Sequence, residues 1–313
     1  MKKLNLKNTS YQYIEKSFKE WLDVLGYSKG TVNGMPILIR EFLHFLENNG
    51  VQSLSPVGGV GGGLQNKHIK NYYEYISVRA NEKRGGGLNT KTINNQIKAI
   101  EKLLEHLHQR GMQNLPSVGI VLEKTQRKEI TVLTVEEVKE LFELTKKEVN
   151  TEKEEVLLSR DRAMLVVYYS CGLRRNEGVH VSIDDINFDT RLLHVRKGKN
   201  YKERFVPFNK TNAEYLKEWI YDYRSKIVKD KKEHRLFIGL KGEPTIGDTL
   251  YSRLQLLKLQ SENTALLEKQ IGLHTLRHSI ATHLLKAGMS VEKIAKFLGH
   301  SSLESTQIYT HLI

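Results

Sequence analysis

Between Asn89 and Gly111 the apolar residues Ile93, Ile97, Ile100, Leu104 and Leu107 recur at steps of four and three, which is the spacing of one buried face of an α-helix. Lys91, Asn94, Lys98 and Lys102 fall off that stripe, and Gly111 follows as a stop signal. Their polar face suits a phosphate backbone, and it is equally the ordinary face of a solvated helix. A second stripe, Ile39, Phe42, Leu43 and Leu46, lies in "GYSKGTVNGMPILIREFLHFLENNG". Because proline has no N–H to donate, Pro36 predicts a helix that begins near Asn33 or bends there. From Tyr11 to about Arg110 the chain therefore reads as helices joined by loops. The aromatic run "NYYEYI", 71–76, has helical spacing and is expected in the core, although such rings can also stack on bases.

The glycine clusters "VGGVGGG" and "RGGG" are followed by no Lys-Ser/Thr pair and complete no dinucleotide fingerprint, so they read as loops and leave nucleotide binding unsupported. The segment 115–134 has no amphipathic period and several basic residues, which predicts an interdomain linker able to wrap a duplex. Thr134 and Glu137 form a capping box that opens the second half. A helix is expected at about 159–171, ended by Gly172, with a shorter helical stretch from Arg174. In "DINFDTRLLHVRKGKNYKERFVPFN", β-branched and aromatic residues flank a Gly-Lys-Asn-Tyr turn, the pattern of short antiparallel strands. The remainder is helical, with Gly288 and Gly299 as stops and Ser301 with Glu304 capping the last helix. The fold class is mainly α with a small antiparallel β-sheet.

Composition adds a partner class. The chain is 39% hydrophobic and 27% charged, a globular balance, and no apolar run approaches the length that spans a bilayer. Two lysines at the N-terminus precede no apolar core, so no signal peptide is read there, and a single cysteine, Cys171, excludes an intramolecular disulfide. A cytoplasmic location is expected. Lysine and arginine number 49 against 36 acidic residues, with 19 against 10 through residue 128 and 30 against 26 beyond it. Such an excess favours a polyanion gripped mainly by the front of the chain.

The chemistry concentrates near the end. His274 and Arg277 stand three apart at the start of an expected helix and can share a face directed at an anion. Arg174 follows a Gly-Leu corner, Lys199 sits at the strand turn, His300 lies just past a glycine stop, and Tyr309 falls on a short terminal helix. The acidic pair Asp184-Asp185 is the best candidate for a metal nuclease, but adjacent acids at a strand entrance are usually turn residues. His274 and His278 are four apart, yet zinc needs further ligands, so no metal site is expected and His278 reads as buried or structural. His180, His194, His283 and His311 default to ordinary positions.

In these residues the chain resembles the tyrosine recombinases, the family of Xer-type recombinases and phage integrases. "CGLRRNEGV" resembles the first box, with Arg174 as its arginine and Glu177 as the acidic companion; Arg175 is the alternative. "HTLRHSIATHLL" resembles the second box, "LGHS" supplies His300, and "YTH" supplies Tyr309 nine residues later. "KERFVP" aligns Lys199 with the family's catalytic lysine, with Lys197 and Lys202 as competitors. The boxes cover roughly 174–310.

The resemblance implies a two-domain DNA clamp: a helical core-binding domain over 1–116, a linker over 117–130 and a tyrosine recombinase catalytic domain over 131–313. It implies a site-specific recombinase acting on double-stranded DNA, two molecules per site and a homotetramer on two sites. Tyr309 would be the nucleophile, His274 its proton acceptor, Arg174 and Arg277 the phosphate clamps, His300 a further hydrogen-bond donor and Lys199 the general acid. No metal, ATP or other cofactor is expected. A DNA-binding accessory protein without catalysis, and a type IB topoisomerase-like enzyme, remain the alternatives.

Overall fold

The computed structural model describes residues 4–55, 63–82, 85–124, 129–196, 203–300 and 303–310. The chain forms two compact units, Met1–Arg127 and Lys128–Ile313.

In the first unit four helices enclose one core: α1 (Thr9–Val24), α2 (Lys29–Asn48), α3 (Asn66–Val78) and α4 (Thr90–Gln109). The side chains of Asn8, Ser28 and Asn89 cap α1, α2 and α4 by accepting backbone N–H groups that have no intrahelical partner. Ser28 starts α2 at Lys29, and the helix continues through Pro36 rather than beginning near Asn33. Proline's missing N–H costs one ladder bond there, and burial of the Pro36 ring with Val32, Ile39, Phe42, Leu43 and Leu46 offsets it. The stripe predicted on α4 faces the core, with Ile97, Ile100, Leu104 and Leu107 buried, Ile93 half-buried, and Leu103 added. Tyr72 is buried while Tyr75 stays 41% exposed against Phe45. The core also holds polar groups. Glu41 accepts a 2.7 Å bond from Gln96 Nε2 and lies 2.6 Å from Arg79 Nε, and Gln96 Oε1 accepts the Tyr72 hydroxyl.

The segment 115–124 packs onto this unit. Val118 is buried, and Leu115, Ile120 and Leu122 cover the core's edge. The Asn94 amide donates to the Glu123 carbonyl at 2.8 Å. Apolar residues without helical spacing still find a surface to cover, which periodicity alone does not reveal. Gly85 and Gly86, both at φ +68°, make the turn that returns Gly87 to pair with Ala80.

The second unit contains α5 (Val135–Leu144), α6 (Glu152–Leu165, extended by π-helical turns over Val166–Ser170) and α7 (Arg175–Gly178). The strands β1 (Ile186–Asn187), β2 (Leu192–Val195) and β3 (Arg204–Pro207) form an antiparallel sheet in the order β1-β2-β3. Next come α8 (Lys210–Lys217), continued by π-helical turns into α9 (Ser225–Ile227), and α10 (Gly247–Lys258). The chain closes with α11 (Thr264–Glu268), α12 (Leu273–Lys286), α13 (Val291–Leu298) and α14 (Glu304–Gln307). The capping box at Thr134 and Glu137 is present. Thr151 caps α6 well before residue 159, because Glu152, Glu154 and Glu155 in its first turn complement the helix dipole. Fully buried Trp219, Phe237, Leu254 and Leu276 anchor the core, and Asp161, also fully buried, is held by Arg253 Nη2 at 2.6 Å. Among the described residues no helix is long and apolar enough to cross a membrane.

Two contacts fix elements that carry the site. A clip joins the start of the unit to α12: Leu133 N–H donates to Ser279 Oγ at 2.8 Å, and His283 Nε2 bonds the Leu133 carbonyl at 2.9 Å while its Nδ1 meets the Tyr169 hydroxyl. Gly178 sits against the buried Tyr168 ring, whose hydroxyl bonds the Arg175 carbonyl. A Cβ on Gly178 would lie 2.5 Å from Tyr168 Cζ. Gly178→Ala is therefore expected to destabilise the protein by about 1–3 kcal/mol through overpacking, read as a lower urea midpoint.

Candidate active site

A tight turn after α13 organises the site. Gly299 adopts φ +66°, its N–H donates to the Lys296 carbonyl, and the His300 N–H donates to the Ala295 carbonyl. These two bonds define a Schellman motif, so His300 is fixed by backbone as well as by side-chain contacts. The motif leaves the Phe297, Leu298 and Gly299 carbonyls at the negative end of the helix, and arginines take them. Arg204 Nε donates to Phe297 O at 2.9 Å, Arg277 Nη2 to Leu298 O at 2.8 Å, and Arg174 Nη2 to Gly299 O at 3.1 Å.

The three guanidinium groups also share the Glu177 carboxylate. It accepts the Arg174 backbone N–H and Arg174 Nη1 at 2.8 Å each, and Arg204 through Nη1 at 3.2 Å and Nη2 at 2.9 Å. Arg277 Nη1 lies 3.7 Å away and donates to the Gly172 carbonyl at 2.6 Å. Burial alone would raise the Glu177 pKa, but the bonds and charge of Arg204, followed by those of Arg174, bring it down to about 2. Burial and the Arg174 charge pull Arg277 down to about 9, so it stays protonated at neutral pH. With three cations to one carboxylate, the cluster is a ready anion site.

Tyr309 enters this cluster from the C-terminal turn and is 1% exposed. Its hydroxyl lies 2.9 Å from His278 Nδ1, and the His300 ring stacks along its ring at a centroid distance of 6.5 Å. His300 Nδ1 in turn meets Thr306 Oγ1 at 2.7 Å. Burial raises the phenol pKa, against the lowering effect of the Arg277 and Arg174 charges. His278 and His300 are each lowered to about 4, first by burial and then by neighbouring charge, from His274 and Arg277 on the former and from Arg277, Arg174 and Arg204 on the latter. Both rings are neutral at pH 7.

Arg174, Glu177, Arg277, His300 and Tyr309 are thus brought together. His274 stands exposed in the first turn of α12, its imidazole makes no hydrogen bond among the described residues, and close packing followed by the Arg277 charge lowers its pKa. The tyrosine hydroxyl meets His278 instead. Lys199, with its competitors Lys197 and Lys202, lies outside the described residues, as does Ser301. Arg175 points elsewhere, into a 2.6 Å pair with Asp248. On α4, Lys91 and Lys98 are exposed, Lys102 is paired with Glu105 at 2.5 Å, and Asn94 is engaged with Glu123. Asp185 is spent capping Ser182 and pairing with Arg196, and no metal-holding cluster occurs among the described residues.

Two participants escaped the sequence. Arg204 sits in the strand segment "KERFVP", where the lysines drew attention. His278 stands four residues after His274, hence on the same helix face, and that spacing was its only signal.

Removing the shared carboxylate should expose its importance. Glu177→Ala leaves buried Arg204 and Arg277 without their counter-charge and is expected to cost about 3–5 kcal/mol in urea unfolding. Acid has a separate effect. All histidine shifts resolved among the described residues are downward, at His68, His106, His274, His278, His283 and His300. The unfolded chain therefore binds more protons than the folded one below pH ~6.5, so this contribution to stability is complete above that value and shrinks as pH falls toward 4. Tm should drop between pH 6.5 and 5, and less steeply in a His278→Asn/His300→Asn variant.

The family model described as the phage integrase family matches residues 131–313. The tyrosine recombinase XerC of Bacillus pumilus is 30% identical over 311 residues, covering 97% of this chain and 93% of its own. The tyrosine recombinase XerD of Staphylococcus haemolyticus is 33% identical, covering 72% of this chain and 73% of its own. Among solved structures, the fold is similar to XerH recombinase bound to difH substrate in a pre-cleavage complex, with TM-score 0.71, 22% identity and coverage of 96% and 82%. The Tn1549 transposon integrase in complex with a circular intermediate DNA aligns with TM-score 0.66, 18% identity and coverage of 95% and 94%. With residues 131–313 matched by the family model and a XerC relative similar along nearly its whole length, this chain belongs to the phage integrase family of tyrosine recombinases, enzymes that cleave and rejoin DNA strands.

Proposed function

We propose that the chain recombines specific sites in double-stranded DNA with Tyr309 as the nucleophile. Its oxygen attacks a backbone phosphorus, the Oη–P bond forms as the P–O5′ bond breaks, and a 3′-phosphotyrosyl link and a free 5′-hydroxyl result. Arg174 and Arg277 hold the non-bridging oxygens and stabilise the charge that builds in the transition state. His274 and His300 add hydrogen bonds to the same phosphate, and Lys199 protonates the departing oxygen. The ester retains the energy of the broken bond, so a second 5′-hydroxyl can reverse the attack without ATP or a metal ion.

The observation that supports this reading is the convergence of the arginine cluster, His300 and Tyr309 at the end of α13. A binding module without catalysis has no need of a phenol beside that cluster. The N-terminal unit is assigned to gripping the duplex, with exposed Lys91 and Lys98 offered to phosphates from the α4 face that also bears Asn94 and Lys102. In this reading residues 1–116 form the core-binding domain, 117–130 the linker and 131–313 the catalytic domain. Dimers on each site pair into a homotetramer, in keeping with the family resemblance.

Covalent trapping on fragmented genomic DNA, followed by sequencing of the attached DNA, would identify sites from which nicked suicide substrates can be built. Wild type is expected to accumulate a covalent adduct, Tyr309→Phe to bind without forming one, and Arg174→Ala or Arg277→Ala to slow adduct formation about 10²–10³-fold. Tight binding by wild type with no adduct would instead support the accessory module.

A further inference from the structure

We infer that His278, rather than His274, accepts the proton of Tyr309 as its oxygen attacks phosphorus. The inference rests on the assignment of Tyr309 as nucleophile. Both histidines project from α12, one turn apart, and only His278 touches the phenol, with Nδ1 2.9 Å from Oη and ring centroids 5.6 Å apart. The buried phenol needs an acceptor at hand, because solvent does not reach it. His278 is neutral at pH 7, and in the tautomer that carries its proton on Nε2 the Nδ1 lone pair faces the hydroxyl.

The charged and titratable groups around this ring are His274 and Arg277 on its own helix, His300 from the turn after α13, and Tyr309. Burial first, and then the charges of His274 and Arg277, make the ring a weak base while the site lacks an anion. A phosphodiester beside Arg277 offsets that arginine's share of the effect and adds negative charge of its own, so substrate binding strengthens the base. The step balances: the Oη–H proton moves to Nδ1, the Oη–P bond forms, the P–O5′ bond breaks, and the 5′-oxygen takes its proton from the general acid. In the reverse reaction the imidazolium returns the proton to Tyr309.

Single-turnover adduct formation on a nicked substrate tests this. His278→Gln preserves polar contact but cannot take a proton, and is expected to slow the reaction about 10²-fold or more. Its rate should also rise with pH by about tenfold per unit, as the phenol must ionise unaided, whereas wild type stays flat from about pH 6.5 to 8.5. Retention of the wild-type rate by His278→Gln, or acquisition of the pH dependence by His274→Gln instead, overturns the inference. If His278→Gln does not fold by circular dichroism, His278→Gly supplied with imidazole is the second arm. Recovery of adduct there supports the inference, and no recovery in a folded variant defeats it. An adduct formed by Tyr309→Phe would sink the nucleophile assignment itself, independently of which histidine is the base.

Discussion

Three guanidinium groups press toward one another around the carboxylate of Glu177, and their repulsion is held in check by that single negative charge and by the carbonyl end of α13. The partners come from several parts of the chain: Arg174 caps α7 and Glu177 lies within it, Arg204 begins β3, and Arg277 stands on α12. The arrangement welds helix, sheet and terminal turn together while leaving a surplus of positive charge. Desolvating so many charges is costly unless each donor finds an acceptor. Here carbonyls and carboxylate supply them, so the three cations are held together without a bound anion.

The phenol experiences the opposite pressure. Burial disfavours its ionised form, and nearby arginines favour it. The balance leaves Tyr309 protonated and hydrogen-bonded to His278. An unpaired buried phenolate would be far more expensive than this neutral pair.

Periodicity and punctuation made much of the fold legible: the apolar stripe of α4, the Thr134–Glu137 capping box, the glycine stops at 172, 288 and 299, and the short antiparallel strands all correspond to what the chain forms. Local signals fell short where distant packing decides. Pro36 is accommodated because its ring is buried among apolar neighbours, and the start of α6 is set by Thr151 and its acidic first turn rather than by an apolar period. Val118 and Ile120 show no helical spacing, yet cover the first unit's core. The arginines, histidine and tyrosine of the site stood out by residue type and order. Arg204 and His278 did not, since their importance lies in what they touch across more than thirty residues of chain or between helix and terminal turn.

The clip at Leu133 has a mechanical meaning. Its N–H and C=O are both fastened to α12, through Ser279 and His283, with Tyr169 steadying the second. The second unit begins only a few residues earlier, at Lys128, and Lys269 at the end of α11 holds the preceding Val132 carbonyl at 3.2 Å, so a tug on the incoming strand is shared by these bonds before it reaches α5. One of the rods that receive the load is the one carrying His274, Arg277 and His278. Strain in the tether and the placing of those three side chains are thus two readings of one linkage.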